Sequence, residues 1–194
     1  MPKLTLGVPA AAARKEQTLR CTANEAARIR GVRSWVVAGG LLEGPEGLLL
    51  VRNRRRDGSH DWSPPGGVIE VADGETVRDG LTREVEEETG IRVTEWAGPV
   101  YEIEAVAEEM GWTMRCEVHR AVAYEGELRV DDPDGIVVDA RFVHVDDCGD
   151  HLAECFPWVR EPLGAWLAER WAESRSYRYR VEGADRQSLS VVRL

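Results

Sequence analysis

The sequence predicts a single core domain of mixed α/β (α+β) class, and three patterns support this. Short apolar runs at 35–38 and 48–51 flank a Gly/Pro-rich turn. A proline-free helical pattern follows at 75–89. Residues 112–119 then alternate between apolar and polar side chains, as a half-buried β-strand does. We place the core at 32–172, with an N-terminal extension at 1–31 and a C-terminal one at 173–194.

The segments before the helix are predicted to be a short helix, a hairpin and a long loop. Residues 22–25 have the spacing of a capping box, which predicts a helix through about Arg30. The runs 35–38 and 48–51 are predicted to pair as a β-hairpin. The polar, Gly/Pro-rich stretch 52–74 is predicted to be a functional loop.

The remaining elements begin with the helix itself. Apolar residues recur every four positions in it, and Gly90 is placed to end it. Four later elements are predicted: strands near 91–106, 112–124 and 136–145, and a helix that starts near Glu161 because of Pro162. The tail is predicted to close the domain with a hairpin, which is a candidate dimer element.

Composition and charge exclude several classes of protein. The chain has 25 basic and 35 acidic residues and a formal net charge of −10, which disfavours binding to nucleic-acid polymers. It has no run of 18 apolar residues, so no transmembrane helix and no membrane partner are expected. The four cysteines form no C-x-x-C pair, and the N-terminus lacks a secretory pattern. A cytoplasmic protein is the expectation.

Three glutamates share one face of the predicted helix. At 100° per residue, Glu84, Glu87 and Glu88 form a stripe beside the apolar face, whereas Glu86 lies on the far side. Carboxylates packed beside a core are costly unless a charge neutralises them, and Mg²⁺ prefers such oxygen ligands. The alternative is a solvated charged surface, which is the usual state of a charge run.

The residues around this stripe resemble the Nudix hydrolase family. The family box is G-x5-E-x7-R-E-U-x-E-E-x-G-U, and the stretch from Glu75 to Ile91 matches every specified position. One departure lies before it, because seven residues rather than five separate Gly67 from Glu75. The resemblance implies a Nudix-like α/β/α sandwich with a mixed β-sheet.

The resemblance also implies a set of site residues. Glu84, Glu87 and Glu88 would bind Mg²⁺ or Mn²⁺, together with the backbone carbonyl of Gly66. Arg83 and Glu75 would support the catalytic site. Glu87 would be a catalytic residue as well as a metal ligand.

A further acidic residue from a downstream loop often acts as base or ligand in this family. Asp131, Asp132, Asp134 and Asp139 are the candidates, and Asp134 is favoured. The alternative is that 131–135 is only a turn, which its composition alone would explain.

Substrate contacts are predicted in the Arg-rich stretch ahead of the box. Arg52 and Arg54 are candidates to clamp phosphates, and Trp62 is a candidate to stack on a base. The alternative is a solvated basic loop whose Trp62 packs on the core.

The implied function is hydrolysis of a nucleoside diphosphate linked to another group. A small nucleotide, most specifically a (deoxy)nucleoside triphosphate, is the favoured substrate. ADP-ribose or a nucleotide sugar is the alternative substrate. A non-catalytic nucleotide sensor is the alternative class of protein.

Overall fold

The structure is a computed structural model that describes residues 32–183 and 189–194. The helix predicted through Arg30 lies outside the described residues. Nine strands in the described part of the chain form a five-stranded sheet, ordered β1-β6-β5-β8-β9, and a four-stranded sheet. In the smaller sheet β3 pairs with β2, β4 and β7. The mixed α+β class predicted from the sequence is confirmed.

The elements have the following bounds. The strands are β1 (Arg33–Leu41), β2 (Glu43–Gly44), β3 (Gly47–Arg54), β4 (His60–Ser63), β5 (Arg92–Ala107), β6 (Trp112–Glu125), β7 (Val137–Val143), β8 (Arg175–Glu182) and β9 (Ser190–Arg193). The α-helices are α1 (Val77–Thr89), α2 (Cys148–His151) and α3 (Pro157–Glu169).

The predicted first hairpin is wrong in its pairing. The turn is where the sequence places it, but only the two residues of β2 pair with β3 across it. The run 35–38 belongs to β1, which lies parallel to β6 in the other sheet. Both runs are apolar because both strands contribute to the core, and apolar character alone does not reveal which strand each one pairs with.

The predicted loop at 52–74 is shorter than expected. Strand β3 continues through Arg54, and β4 pairs with it antiparallel, so that Arg52 faces Trp62 across the ladder. The hydrogen bonds between two strands join backbone groups and do not depend on the side chains. A polar sequence can therefore form a strand, as β4 does at the edge of the smaller sheet.

Helix α1 confirms the helical prediction, with its start two residues later than expected. Thr76 caps the helix, and its hydroxyl accepts a hydrogen bond from the backbone N–H of Asp79. Gly90 ends it with φ = 70°, a left-handed conformation that suits glycine, and its N–H donates to the carbonyl of Glu86.

Helix α3 begins earlier than predicted. It starts at Pro157, where the missing N–H of proline is harmless, and Pro162 lies inside it. The start near Glu161 was therefore wrong, because a second proline supplied the helix start.

The predicted C-terminal hairpin is confirmed, since β8 and β9 pair antiparallel. Strand β8 also pairs in parallel with β5, which makes it an inner strand of the main sheet. Its residues Tyr177, Tyr179 and Val181 are buried in the core. The hairpin thus continues the sheet of the domain rather than standing apart from it.

Two apolar clusters fix the layers of the fold. One lies beneath α1 and includes Leu81 and Val85. The other lies beneath α3 and includes Leu163 and Trp166. No helix in the described residues is long and apolar enough to cross a membrane.

Candidate active site

A glycine loop follows β4 and is fastened to β1. The N–H of Gly40 donates to the carbonyl of Pro65 at 2.8 Å, and the N–H of Ala38 donates to that of Gly67 at 2.9 Å. Gly66 has φ = 140°, and a Cβ there would lie 2.2 Å from the carbonyl oxygen of Ala38. Only glycine fits this left-handed, crowded position.

Gly67 brings bare backbone against the carboxylate of Glu84. A Cβ on Gly67 would lie 2.3 Å from Oε2 of Glu84, far inside van der Waals contact. The absence of a side chain at Gly67 therefore leaves a cradle for the carboxylate. The Glu84 side chain is 19% exposed, and burial raises its pKa.

Glu88 is the most buried carboxylate of α1. Its residue is 8% exposed, and Oε2 accepts a hydrogen bond from the N–H of Gly66 at 2.8 Å. Burial raises the pKa of Glu88 to about 8 even though this hydrogen bond favours the ionised form. The negative charges of Glu84, Asp132 and Glu87 raise it further.

Arg83 connects the other carboxylates of the site. Its guanidinium donates to both oxygens of Glu75, at 2.9 and 3.3 Å. Nη1 also donates to Glu84 at 2.9 Å and to Glu87 at 3.1 Å. The bond from Arg83 lowers the pKa of Glu75, and Glu75 in turn accepts from the N–H of Glu70. One arginine therefore orients three carboxylates.

The donor chemistry of these residues suits a hard divalent cation. Glu84, Glu87 and Glu88 offer carboxylate oxygens, and the glycine loop offers backbone carbonyls, which are ligands preferred by Mg²⁺ and Mn²⁺. Within the ranges the structure describes, no three Asp, Glu, His or Cys side chains are grouped closely enough to hold a metal as they stand. Arg83 holds two of the glutamates and Gly66 holds the third. Glu86 is exposed on the far side of the helix, as the helical periodicity predicts.

Among the downstream acids, Asp132 rather than Asp134 is the one whose charge raises the Glu88 pKa. Asp132 is half-buried, and its carboxylate accepts hydrogen bonds from the N–H groups of Asp134, Ile136 and Val137. Asp134 is exposed in the same turn. Both residues are candidates from the sequence. In the structure, Asp132 is bound by the backbone of its own turn, whereas Asp134 is exposed to solvent.

The predicted substrate arginines lie on β3. Arg54 donates through Nη2 to the carbonyl of Gly135 at 2.9 Å, which fastens the turn at 131–135 to the strand. Arg52 is half-buried and pairs with Trp62 and with Asp139 on the two neighbouring strands. Asp139, another candidate acid, forms an ion pair with Arg141.

An aromatic cleft of about 590 Å³ opens between β4, the starts of β1 and β6, and the start of α3. Its aromatic lining residues are Trp35, Trp62, Trp112, Phe156 and Trp158. Arg55 and Asp61 supply its charged groups, and Met114 and Cys155 also line it.

Trp62 lies in this cleft as well as against the core. The guanidinium of Arg141 stands 5.0 Å from the centre of its ring, and His151 packs edge-on at 5.2 Å. The thiol of Cys155 donates to the backbone carbonyl of Trp62. The sequence identified Trp62 as a candidate for base stacking but missed Trp35, Phe156 and Trp158. Phe156 and Trp158 are close in the sequence, but no local spacing places them beside Trp35.

Comparison with protein-family models decides the family. The model of the NUDIX domain matches residues 33–167, well over half of the chain. The chain belongs to the Nudix family. This Nudix protein has no significant match among curated protein sequences.

Several solved structures share the fold of this Nudix domain. The MutT NUDIX hydrolase from Burkholderia pseudomallei is 25% identical, with a TM-score of 0.51 over 59% of this chain and 85% of that one. The MutT protein from Bacillus halodurans is 20% identical, with a TM-score of 0.57 over 82% of this chain and 97% of that one. The E. coli ORF135 protein is 20% identical, with a TM-score of 0.58 over 72% and 92% of the two chains. The likeness supports the Nudix fold and a Nudix hydrolase.

Proposed function

We propose that this Nudix hydrolase is a metal-dependent pyrophosphohydrolase that cleaves a small nucleotide, most specifically a nucleoside or deoxynucleoside triphosphate. One observation carries the proposal: β4 joins the aromatic cleft directly to the glycine loop. Asp61, Trp62 and Ser63 line the cleft, and Gly66 follows three positions after Ser63. The N–H of Gly66 in turn donates to Glu88, so in this proposal a base held in the cleft directs its phosphates along the glycine loop toward the glutamates on α1.

The metal would be held by the oxygens of Glu84, Glu87 and Glu88 and by the carbonyl of Gly66. Mg²⁺ or Mn²⁺ bound there would lower the pKa of a water molecule and neutralise charge on the phosphoryl oxygens. In the reaction, the oxygen of water forms a bond to phosphorus, and the bond from phosphorus to the bridging oxygen breaks. The proton of the water passes to a carboxylate.

The protein groups have distinct roles in this proposal. Glu87 is proposed as a catalytic carboxylate, and its side chain is 42% exposed, compared with 19% for both Glu75 and Glu84. Arg83 and Glu75 orient Glu87, since Arg83 bonds to both glutamates. Asp134 is the proposed base because it is exposed, and Asp132 fixes the turn that carries it.

The substrate-binding residues in this proposal are Arg52, Arg54 and Trp62. Trp62 contributes to the aromatic wall that would contact the base. Arg52 and Arg54 keep positive charge on β3, and Arg54 donates to the carbonyl of Gly135 in the turn that carries Asp132. There it would offset the charge of the phosphates.

Release of phosphate or pyrophosphate from a nucleotide panel tests the proposed function. We expect hydrolysis with Mg²⁺ or Mn²⁺ and none after chelation, with a loss of more than about 100-fold in Glu87→Gln. Glu86→Gln is the matched control, because Glu86 is exposed on the same helix but outside the stripe. Absence of hydrolysis across the panel, or a fully active Glu87→Gln, would contradict the proposal.

Partners and location follow as finer proposals. The substrate is a small nucleotide rather than a polymer, since the net charge is −10. Free thiols at Cys116, Cys148 and Cys155 support a reducing, cytoplasmic location. A homodimer through β9, the edge strand of the larger sheet, stays a prediction. Removal of residues 173–194 would also remove the buried strand β8, so Val192→Asp on the edge strand tests the dimer with β8 intact. It should lower the oligomer mass, and a monomeric wild type or an unchanged mass would refute the predicted dimer role of this hairpin.

A further inference from the structure

One wall of the aromatic cleft is polar and is built around a single ion pair. Arg55 donates to Asp61 through two parallel bonds, from Nε to Oδ2 at 2.7 Å and from Nη2 to Oδ1 at 2.5 Å. Both residues line the cleft, and their side chains are 35% and 13% exposed. The guanidinium is thus held in one orientation at the mouth of an aromatic site.

The ion pair is supported from beneath by buried polar groups. Asn53 is 6% exposed and lies opposite Asp61 on the neighbouring strand. Its Nδ2 donates to the hydroxyl of Ser63 at 2.9 Å and approaches Oδ1 of Asp61 at 3.4 Å. Asp61 is therefore held in place by the paired strands β3 and β4, and Asp61 in turn fixes the orientation of the Arg55 guanidinium.

The charge of this wall suits a neutral group rather than a phosphate. Asp61 neutralises Arg55, so the pair carries no net charge with which to attract a phosphate dianion. The directional N–H groups of the guanidinium are retained, because arginine has five donors and Asp61 takes two of them. The end of the fork, made by Nη1 and Nη2, is a second pair of parallel donors.

We propose that the Arg55–Asp61 pair makes the aromatic cleft selective for a 6-oxopurine base. The inference rests on the proposed function, since it names the nucleotide class that the site takes. Two parallel donors match the adjacent acceptors O6 and N7 of such a base, the commonest pairing that arginine makes with a base edge. The aromatic side chains of the cleft supply the stacking surface.

The other bases fit this wall less well. Adenine has one acceptor and one donor on the same edge, so one N–H of Arg55 would face the N6 amino group. On the edge with the exocyclic group, cytosine presents an amino donor and uracil a single carbonyl. The adjacent N3 and O2 acceptors of cytosine could also meet the fork, but its single ring covers less of the aromatic wall than a purine does. A donor left facing a donor in a partly desolvated cleft is unsatisfied, which is the strongest source of discrimination between bases.

Binding of nucleosides without phosphate tests the proposal apart from catalysis. Trp35, Trp62, Trp112 and Trp158 line the cleft, so quenching of tryptophan fluorescence reports occupancy. In the presence of a chelator we expect guanosine and inosine to bind about 10- to 100-fold more tightly than adenosine. Arg55→Lys keeps the charge but removes the fork, and it should reduce this preference to about twofold or less.

Arg56→Lys is the matched control, since Arg56 is the exposed next residue and should keep the preference. Equal or tighter binding of adenosine, no quenching by guanosine, or an unchanged preference in Arg55→Lys would overturn the proposal. A guanosine preference without hydrolysis of any nucleotide would instead refute the proposed function alone. Thermal melting of each variant separates lost selectivity from lost folding.

Discussion

The two ends of the proposed site are built in opposite ways. The glutamate end consists of Glu75, Arg83, Glu84, Glu87 and Glu88 on α1 and the turn before it. The aromatic cleft draws its residues from β1, β4, β6 and α3, which are distant in sequence. Helical periodicity brings the first group together, and only tertiary packing brings the second together.

This difference in construction matches a difference in chemistry. The glutamate end is ionic, and Arg83 holds its carboxylates in fixed orientations that suit charge neutralisation. The cleft is aromatic with one neutralised ion pair, which suits a planar, uncharged ligand. We expect changes at the first end to lower kcat and changes at the second to raise KM.

The largest effect is expected from the substitution Glu84→Gln. It keeps the size of the side chain but removes a charge from the group that would hold the metal. We expect kcat to fall by more than about 100-fold with little change in the melting temperature. Steady-state kinetics beside Glu86→Gln would measure it. A Glu84→Gln enzyme with normal kcat would mean that the glutamate end is only a charged surface.

A smaller loss is expected from Gly67→Ala, which leaves every charged group in place. The added Cβ would overlap Oε2 of Glu84, so the carboxylate must move. We expect kcat to fall about 10- to 100-fold. Gly149→Ala is the control, because a Cβ at Gly149 meets nothing within 4 Å. Equal activity of both variants would show that the position of Glu84 does not matter.

The sequence was informative wherever function depends on residues close along the chain. Helix α1, its glycine end and the exposed Glu86 follow from spacing, and so does the stripe of carboxylates. The bond from Gly66 to Glu88 does not, because it depends on how the loop folds back.

Two of the failures, the pairing of β1 and the lining of the cleft, share one physical cause, which is that partners distant in sequence decide them. Strand β1 pairs with β6 rather than with its neighbour β3. The cleft likewise joins Trp35 to Trp112, whose rings meet edge to face at 6.0 Å. Nothing in either local sequence specifies the other, so the aromatic wall could not be predicted from the sequence.

A KM effect is expected from Trp35→Leu at the cleft. Trp35 lies outside both main apolar clusters, so its loss should cost little stability. Loss of one stacking surface should raise KM roughly 5- to 50-fold and leave kcat nearly unchanged. Trp35→Phe keeps an aromatic ring at the same position and is the control, which should retain most of the wild-type KM. A selective fall in kcat would contradict the division between the two ends.

The smallest expected effect is a change in how stability depends on pH. It concerns His119 on β6, the strand that also carries Trp112. His119 is 2% exposed, Nε2 lies 3.2 Å from Glu117, and Nδ1 has no partner among the described residues. Burial lowers its pKa, with Arg78 acting the same way and Glu117 and Glu102 opposing. The native state therefore disfavours the protonated ring.

Because the unfolded chain binds this proton more readily, the native state loses stability as the pH falls below the ordinary histidine value of about 6.5. In His119→Gln this contribution to the loss should disappear. The pH dependence of the free energy of unfolding should then decrease by at most about 1.4 kcal/mol per pH unit. Chemical denaturation at several pH values measures the difference. A stability difference between the two proteins that does not change with pH would show that the ring is not buried in its neutral form.

The independence of the two ends is tested most directly by a double-mutant cycle. The rate constant kcat/KM is measured for the wild type, Glu84→Gln, Trp35→Leu and the double variant with one hydrolysed nucleotide. We predict that the fold losses multiply, so that the coupling energy stays within about 0.5 kcal/mol. A double variant no worse than Glu84→Gln alone would contradict the account, because the cleft would then make no contribution separate from that of the glutamate end.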